Sequence, residues 1–290
     1  MNALIFGARG QDGQYLTELL LSLRIEVIGI TRSASNIFID VSNYSFVESL
    51  IKRTKPDFIF HFAANSTTKH DALFENHLAI STGTLNILES VYKYSKATKV
   101  FISGSGLQFV NKGIPISEID PFEARDPYCV ARIQSVYAAR YFRSLGLQVY
   151  VGYFFHHDSP LRSERHLNMR IAKAARRIKE GSGEYIQIGN LDVIKEFNYA
   201  GDFMNAIWML INQDEYFEIV VGSGKGYRIK EWISICFDLV NLDWTKYVRI
   251  DDSFTPDFIS LVCNPALLNS IGWTPQLDIT DLAQKMMESK

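Results

Sequence analysis

An apolar run, Ala3–Phe6, breaks at Gly7-Ala8-Arg9-Gly10-Gln11-Asp12-Gly13 and passes into a helical stretch, Gln14–Ser22. Three glycines at a spacing of three, between a strand and a helix, restrict the fold severely. The first permits a tight turn, the second lets backbone approach a pyrophosphate, and the third lets helix and strand pack closely. The amide groups that open the helix then meet negative phosphate. The turn therefore predicts the first βα unit of a Rossmann-type α/β fold and a bound nicotinamide dinucleotide.

The pattern downstream repeats that unit. Strands are expected at 26–30, 57–60, 100–103 and 148–153, and helices at 46–53, 78–94 and 129–144. Short apolar strands separated by helices imply a doubly wound parallel sheet. After Asp158 the pattern loosens into a basic helix at 166–179, a polar turn at 181–183, a strand at 186–188, a helix at 202–211, a helix at 230–240 and a last helix from Thr280. The expected division is a cofactor-binding domain over residues 1–157, to which the strand and helix near 186–211 return. A smaller C-terminal substrate-binding lobe covers 158–290.

Composition excludes several classes. A formal charge of -2 argues against a general affinity for nucleic acid or acidic membranes. The basic helix has no stacking aromatics beside it. Three cysteines, Cys129, Cys236 and Cys263, form no CxxC pair, and the six histidines show no metal-ligand spacing. With no leader peptide or membrane-length apolar run in view, the cytoplasm is the expected compartment.

The second strand ends Gly29-Ile30-Thr31-Arg32, without the acid that would hold a ribose 2′-hydroxyl. Arg9 and Arg32 are placed instead to meet a 2′-phosphate, which favours NADP(H) over NAD; both also read as ordinary surface charges. Asp40 is expected near adenine or as a turn residue, and Ala63 and Ala64 beside the cofactor. Tyr128 and Arg132 share a helix face at i and i+4. A cation there can lower the phenol's pKa and make it a usable acid or base, although arginine differs from lysine in reach and geometry. Ser103 and Ser105 lie where the fourth strand ends, either as turn residues or, for Ser105, as a hydroxyl that binds a sugar oxygen.

Several segments together resemble GDP-mannose 4,6-dehydratases and their relatives among the extended short-chain dehydrogenases/reductases. Gly10-Gln11-Asp12-Gly13-Gln14-Tyr15-Leu16 is similar to that family's GQDGSYL, and Phe155-His156-His157-Asp158-Ser159-Pro160-Leu161-Arg162 to its FNHESPRR. Gly189–Phe197 resembles GNLDAKRDW, Ile271–Pro275 resembles LGWxP, and the spacing from Ile114-Pro115 to Pro127-Tyr128 is kept. The resemblance implies an NADP-dependent enzyme of a nucleotide-diphosphate sugar, GDP-linked. It implies that Ser105, Tyr128 and Arg132 are the catalytic group, with Tyr128, Arg132, His157 and Arg162 touching cofactor. Ser105, His156 and Lys195 would touch substrate.

The departures narrow the reading. The family's Thr-Ser-Glu is matched to Ser105-Gly106-Leu107, and Leu107 cannot move the proton that dehydration requires. Its Arg-Pro-x-Glu element appears as Thr255-Pro256-Asp257-Phe258. The connection from Arg32 to Asp40 is short, which favours a homodimer, as in the related 4-keto sugar reductases. The expected activity is reduction of a nucleotide-linked 4-keto-(6-deoxy) sugar. The alternatives are a sugar-nucleotide epimerase or 4-oxidase, a residual dehydratase, and a cofactor-binding homologue without chemistry.

Overall fold

The computed structural model describes residues 1–32, 40–251 and 253–288. The connection from Arg32 to Asp40 runs through 33–39, which lie outside the described residues. The chain forms two compact units: Met1–Val110, Glu118–Phe154 and Met204–Val221 make the first, and Asn111–Ser117, Phe155–Phe203 and Gly222–Lys290 the second.

The first unit is built on a six-stranded parallel sheet. Its strands are β1 (Asn2–Phe6), β2 (Glu26–Ile30), β3 (Phe58–His61), β4 (Lys99–Ser105), β5 (Val149–Phe154) and β6 (Glu218–Val221), in the order β6-β5-β4-β3-β1-β2. Ala3–Phe6, Ile59, Phe60, Phe101, Ile102 and Val149–Val151 are buried. Strands covered on both faces read as continuous apolar runs for this reason. Between them lie α1 (Gln11–Ser22), α2 (Tyr44–Thr54), α3 (Gly83–Tyr94) and α4 (Pro127–Ser144). The helix expected at 78–94 is α3 preceded by a π-helical turn, His77–Thr82.

β6 is a strand that the periodicity did not single out. A short strand with three apolar residues, Ile219–Val221, is ambiguous between strand and buried helix, and its place beside β5 comes from pairing in register, Glu218 to Val151 and Val221 to Phe154. The strand at Ile186–Ile188 was expected to return to the first unit. It instead pairs with Val248–Ile250 in the second. Helix α6 (Ala200–Ile211) enters the first unit from Met204.

The second unit packs α5 (Leu167–Lys179), α7 (Ile229–Asp238) and α8 (Ile279–Glu288) around Met169, Ile171, Trp232, Phe237, Leu282 and Met286. Trp232 is fully buried, stacks on Phe197 at 5.0 Å between centroids, and donates its Nε1–H to the Asn168 carbonyl at 3.2 Å. Two basic residues of α5 form ion pairs, Arg177 with Glu164 and Glu184, and Arg176 with Glu180; Arg176 also donates to the Met287 carbonyl of α8 at 3.1 Å. Among the described residues no helix is long and apolar enough to cross a membrane, and no group of three His, Cys, Asp or Glu side chains could hold a metal.

Candidate functional site

The order of the sheet reverses at β1, which has β2 on one side and β3 on the other. Ligands of open α/β sheets bind beyond the strand ends at such a switch point. A cleft of about 180 Å³ lies there, walled by Phe6, Gly7 and Gly10 after β1, Ile30–Arg32 after β2, and Ala63–Asn65 after β3. Arg9, Asp40, Val41, Glu75 and Ala79 complete it. The volume is below the ~300–1,000 Å³ of most complete small-molecule sites, so it accounts for one end of a dinucleotide.

The glycines fit that use. Gly7 has φ +92°, and a Cβ there would come within 2.8 Å of the Ala63 amide nitrogen. A Cβ on Gly13 would press to 2.6 Å from the Ala8 Cα, so the close approach of helix to turn needs glycine at both places. Gly10 is the N-cap of α1 and supplies no capping side chain. Backbone therefore stands where an anion has to come near. Asp40 both lines the cleft and fixes its own turn, accepting from the Ser42 amide at 2.8 Å. Arg32 is not an unpaired cation: its Nη2 donates to Glu75 Oε1 at 2.8 Å.

Tyr128 and Arg132 stand in the first turns of α4. Asp126 caps that helix by accepting from the Cys129 amide at 2.8 Å, and Pro127 opens it. An acceptor side chain followed by proline fixes a helix start, which sets the direction of Tyr128. Arg132 is buried, and its guanidinium carbon lies 5.0 Å from the centre of the Tyr128 ring. Its Nη1 donates to the Ser103 carbonyl, and to the Ser103 hydroxyl at 2.7 Å. That hydroxyl donates in turn to the His61 carbonyl at 2.9 Å, so one arginine ties α4 to the ends of β4 and β3. His61 is wholly buried, and burial, with Arg132 adding to it, pushes its imidazole down to about 4. It is neutral at physiological pH.

Ser105 closes β4 and caps the short turn Gly106–Gln108. Its buried Oγ accepts from the Leu107 amide at 3.2 Å, while its own amide donates to Gln108 Oε1 at 2.9 Å. The hydroxyl proton is still available to a ligand, since the oxygen is engaged here as an acceptor. No carboxylate occurs from Ser103 to Phe109.

In the second unit His156, His157, Asp158, Arg162 and Lys195 form one buried polar cluster, joined by Asn168. The Lys195 Nζ donates to Asn168 Oδ1 at 2.8 Å, and Asn168 Nδ2 donates to Asp158 Oδ2 at 2.6 Å. Arg162 pairs with Asp158 at 3.4 Å and donates to the His157 carbonyl at 3.1 Å. Burial lowers Lys195 to about 8 and His156 to about 3, the latter also repelled by Lys195. Burial acts to raise Asp158, but Arg162, Lys195 and the Asn168 hydrogen bond outweigh it and hold the carboxyl below its usual range. The His156 Nδ1 is buried without a hydrogen-bond partner among the described residues, whereas the Arg162 Nε has its 3.4 Å ion-pair contact with Asp158. Buried polar atoms usually find partners, so the neutral His156 ring is the one group of this cluster left unsatisfied. His157 stacks on Phe203 at 4.5 Å, and its Nδ1 lies 2.8 Å from the Phe155 carbonyl.

The comparison with known proteins agrees with the fold. Residues 4–286 match the model of the family described as GDP-mannose 4,6 dehydratase. The chain belongs to the GDP-mannose 4,6-dehydratase family. It is thereby an enzyme of the extended short-chain dehydrogenase/reductase type, whose members act on sugar nucleotides with a nicotinamide cofactor. It is 30% identical over 319 residues to GDP-mannose 4,6 dehydratase 2 of Arabidopsis thaliana, covering 99% of this chain and 86% of that one. In fold it is similar to RMD from Pseudomonas aeruginosa, solved with NADPH: TM-score 0.87, 19% identity, 99% and 96% of the two chains. A UDP-glucose 4-epimerase of Thermus thermophilus, solved with NAD, has TM-score 0.82 and 19% identity over 100% of both chains.

Sequence reasoning missed Glu75, Asn168, Gln108 and the part played by Ser103. Glu75, Asn168 and Ser103 act through partners 27 to 43 residues away that only the folded chain brings near, whereas Ser105 and Gln108 stand at the capping-box spacing, a local signal the sequence carries.

Proposed function

We propose that this protein is a reductase of a nucleotide-linked 4-keto-(6-deoxy) sugar, GDP-linked, and not a dehydratase. The observation that carries this is the carboxylate-free run Ser103–Phe109 at the end of β4. Elimination requires a group that takes one proton and returns another, and Leu107 can do neither. Reduction of a carbonyl needs only a hydride, a proton donor and a hydrogen-bond donor. A nicotinamide cofactor held by its adenosine end in the cleft would supply the hydride. The Tyr128 hydroxyl gives the proton to the sugar oxygen, the Ser105 hydroxyl orients the carbonyl, and Arg132 holds the Tyr128 ring and the cofactor ribose. Arg9 and Arg32, with Gly7, Gly10, Gly13, Gln11, Asp12, Asp40, Ala63 and Ala64, admit NADP(H); His157 and Arg162 complete that set. Lys195 and His156 receive the sugar nucleotide.

Purified protein should oxidise NADPH only when a GDP-4-keto-6-deoxy sugar is added, and release no 4-keto product from GDP-mannose. Tyr128→Phe should reduce the rate at least ~100-fold, the usual contribution of a positioned acid. Turnover of a sugar nucleotide with no net change in NADPH absorbance would replace this reading with epimerisation. Absence of consumption across GDP, dTDP and UDP keto-sugars would end it.

The working form is a homodimer. Tyr137 and Tyr141 on α4, Leu85 on α3 and Leu78 just before it are exposed, an apolar surface on neighbouring elements. The three cysteines are buried and form no disulfide among the described residues, which suits a reducing cytoplasm.

A further inference from the structure

The cleft holds an acid that β2 does not provide. Glu75 lies in the short helix Leu73–Asn76, 43 residues beyond Arg32 in the chain, yet both line the same cleft. Its two oxygens are engaged separately. Oε1 accepts from Arg32 Nη2 at 2.8 Å, and Oε2 accepts from Asn65 Nδ2 at 2.8 Å. Among the described residues, the charged ones that line the cleft are two cations, Arg9 and Arg32, and two acids, Asp40 and Glu75.

This changes what Arg32 offers. A 2′-phosphate brings up to about two negative charges. To reach Arg32 it must displace the Glu75 carboxylate or lie beside it, and like charges at close range repel. A ribose with a free 2′-hydroxyl meets no such penalty. It presents a donor, and each Glu75 oxygen keeps lone-pair capacity to accept from it. Arg32 and Glu75 side chains are 63% and 42% exposed, so the pair itself is weak. Its effect lies in competition with the incoming phosphate.

We propose that Glu75 sets the cleft's choice at the ribose 2′-position, restraining Arg32 so that NAD(H) binds about as well as NADP(H). The proposal rests on reading the cleft as a dinucleotide site. Binding of NADPH and of NADH to the full chain, by titration calorimetry without any sugar substrate, tests it in the parent, Glu75→Gln, Arg32→Ala and the double variant. The parent should bind the two within about tenfold of each other, and Glu75→Gln should shift the ratio toward NADPH by roughly threefold to fivefold, the scale of one lost repulsion between exposed charges. The shift should shrink when Arg32 is also alanine, because the competition for its guanidinium is then gone and only the direct repulsion is left. A ratio unchanged by Glu75→Gln, with both cofactors still bound, overturns the proposal and leaves the dinucleotide site intact. A parent that binds neither cofactor overturns the site reading and the proposal with it.

Discussion

Lys195 puts a titratable charge where the family resemblance matches an arginine. It is buried, its ammonium is held by Asn168, and Asp158, Arg162, His156, His157 and His166 are the ionisable neighbours. Burial lowers its pKa to about 8, against 10.5 for a free lysine. The charge proposed to meet a diphosphate is therefore present below about pH 8 and lost as pH rises through that value. The stability consequence has the opposite sign: the unfolded chain binds the extra proton between 8 and 10.5, so this lysine's burden on the fold is relieved there. Affinity for a GDP-sugar, measured by calorimetry, should fall by roughly tenfold from pH 7 to pH 9. Lys195→Arg should flatten that fall, because guanidinium stays charged. A flat profile in the parent would remove Lys195 from the binding group.

At the scale of elements, α4 is fastened to the sheet by one carboxylate. Glu218, the first residue of β6, receives Arg140 through Nε at 2.9 Å and Nη2 at 2.7 Å, the Arg143 guanidinium, and the Tyr153 hydroxyl at 2.6 Å. Burial acts to raise its pKa, but these donors prevail and bring it to about 2, against 4.5 for a free glutamate. The folded-state pKa is depressed, so the stability it contributes is full above about 4.5 and is lost as pH falls toward 2. Glu218→Gln should cost on the order of 3 kcal/mol at pH 7. It should also flatten the decline of stability between pH 5 and pH 2, read by urea unfolding. Equal acid sensitivity in the two proteins would show that the network is not the source.

These elements also show what the sequence could carry. Gly7 and Gly13 were readable because steric demands at a βα turn are local: each excludes a Cβ against backbone within the unit or the next strand. Tyr128 and Arg132 were readable because helical spacing alone places one ring under one guanidinium. Glu75 was not, since nothing in Leu73–Asn76 announces that its carboxylate will meet the end of β2. Ile186–Ile188 looked like a strand returning to the main sheet, but an Ile-Gln-Ile alternation does not encode its partner, and Val248–Ile250 claimed it. The buried cluster around Lys195 entered through family resemblance, whereas its connecting residue, Asn168, depends on α5 being packed by Trp232.

On the scale of the whole molecule, the question is what covers the apolar surface of α3 and α4. Tyr137 and Tyr141 are 58% and 60% exposed, and Leu85 and Leu78 are 48% and 49% exposed. Residues 134, 137, 141 and 144 recur at the spacing of one helix face, opposite the face that buries Val136, Ala139 and Phe142. Large aromatics exposed together on one face mark an interaction surface more often than solvent. A second copy of the chain can bring the same face against it, because a twofold interface is self-complementary. Tyr137→Glu with Tyr141→Glu would place charges at the centre of that contact while leaving buried positions of α4 unchanged. Sedimentation of the parent should give twice the chain mass at micromolar concentration, and the double variant should give the mass of one chain with an unaltered circular dichroism spectrum. A parent that sediments as a monomer, or a variant that remains a dimer, would assign this surface to another role.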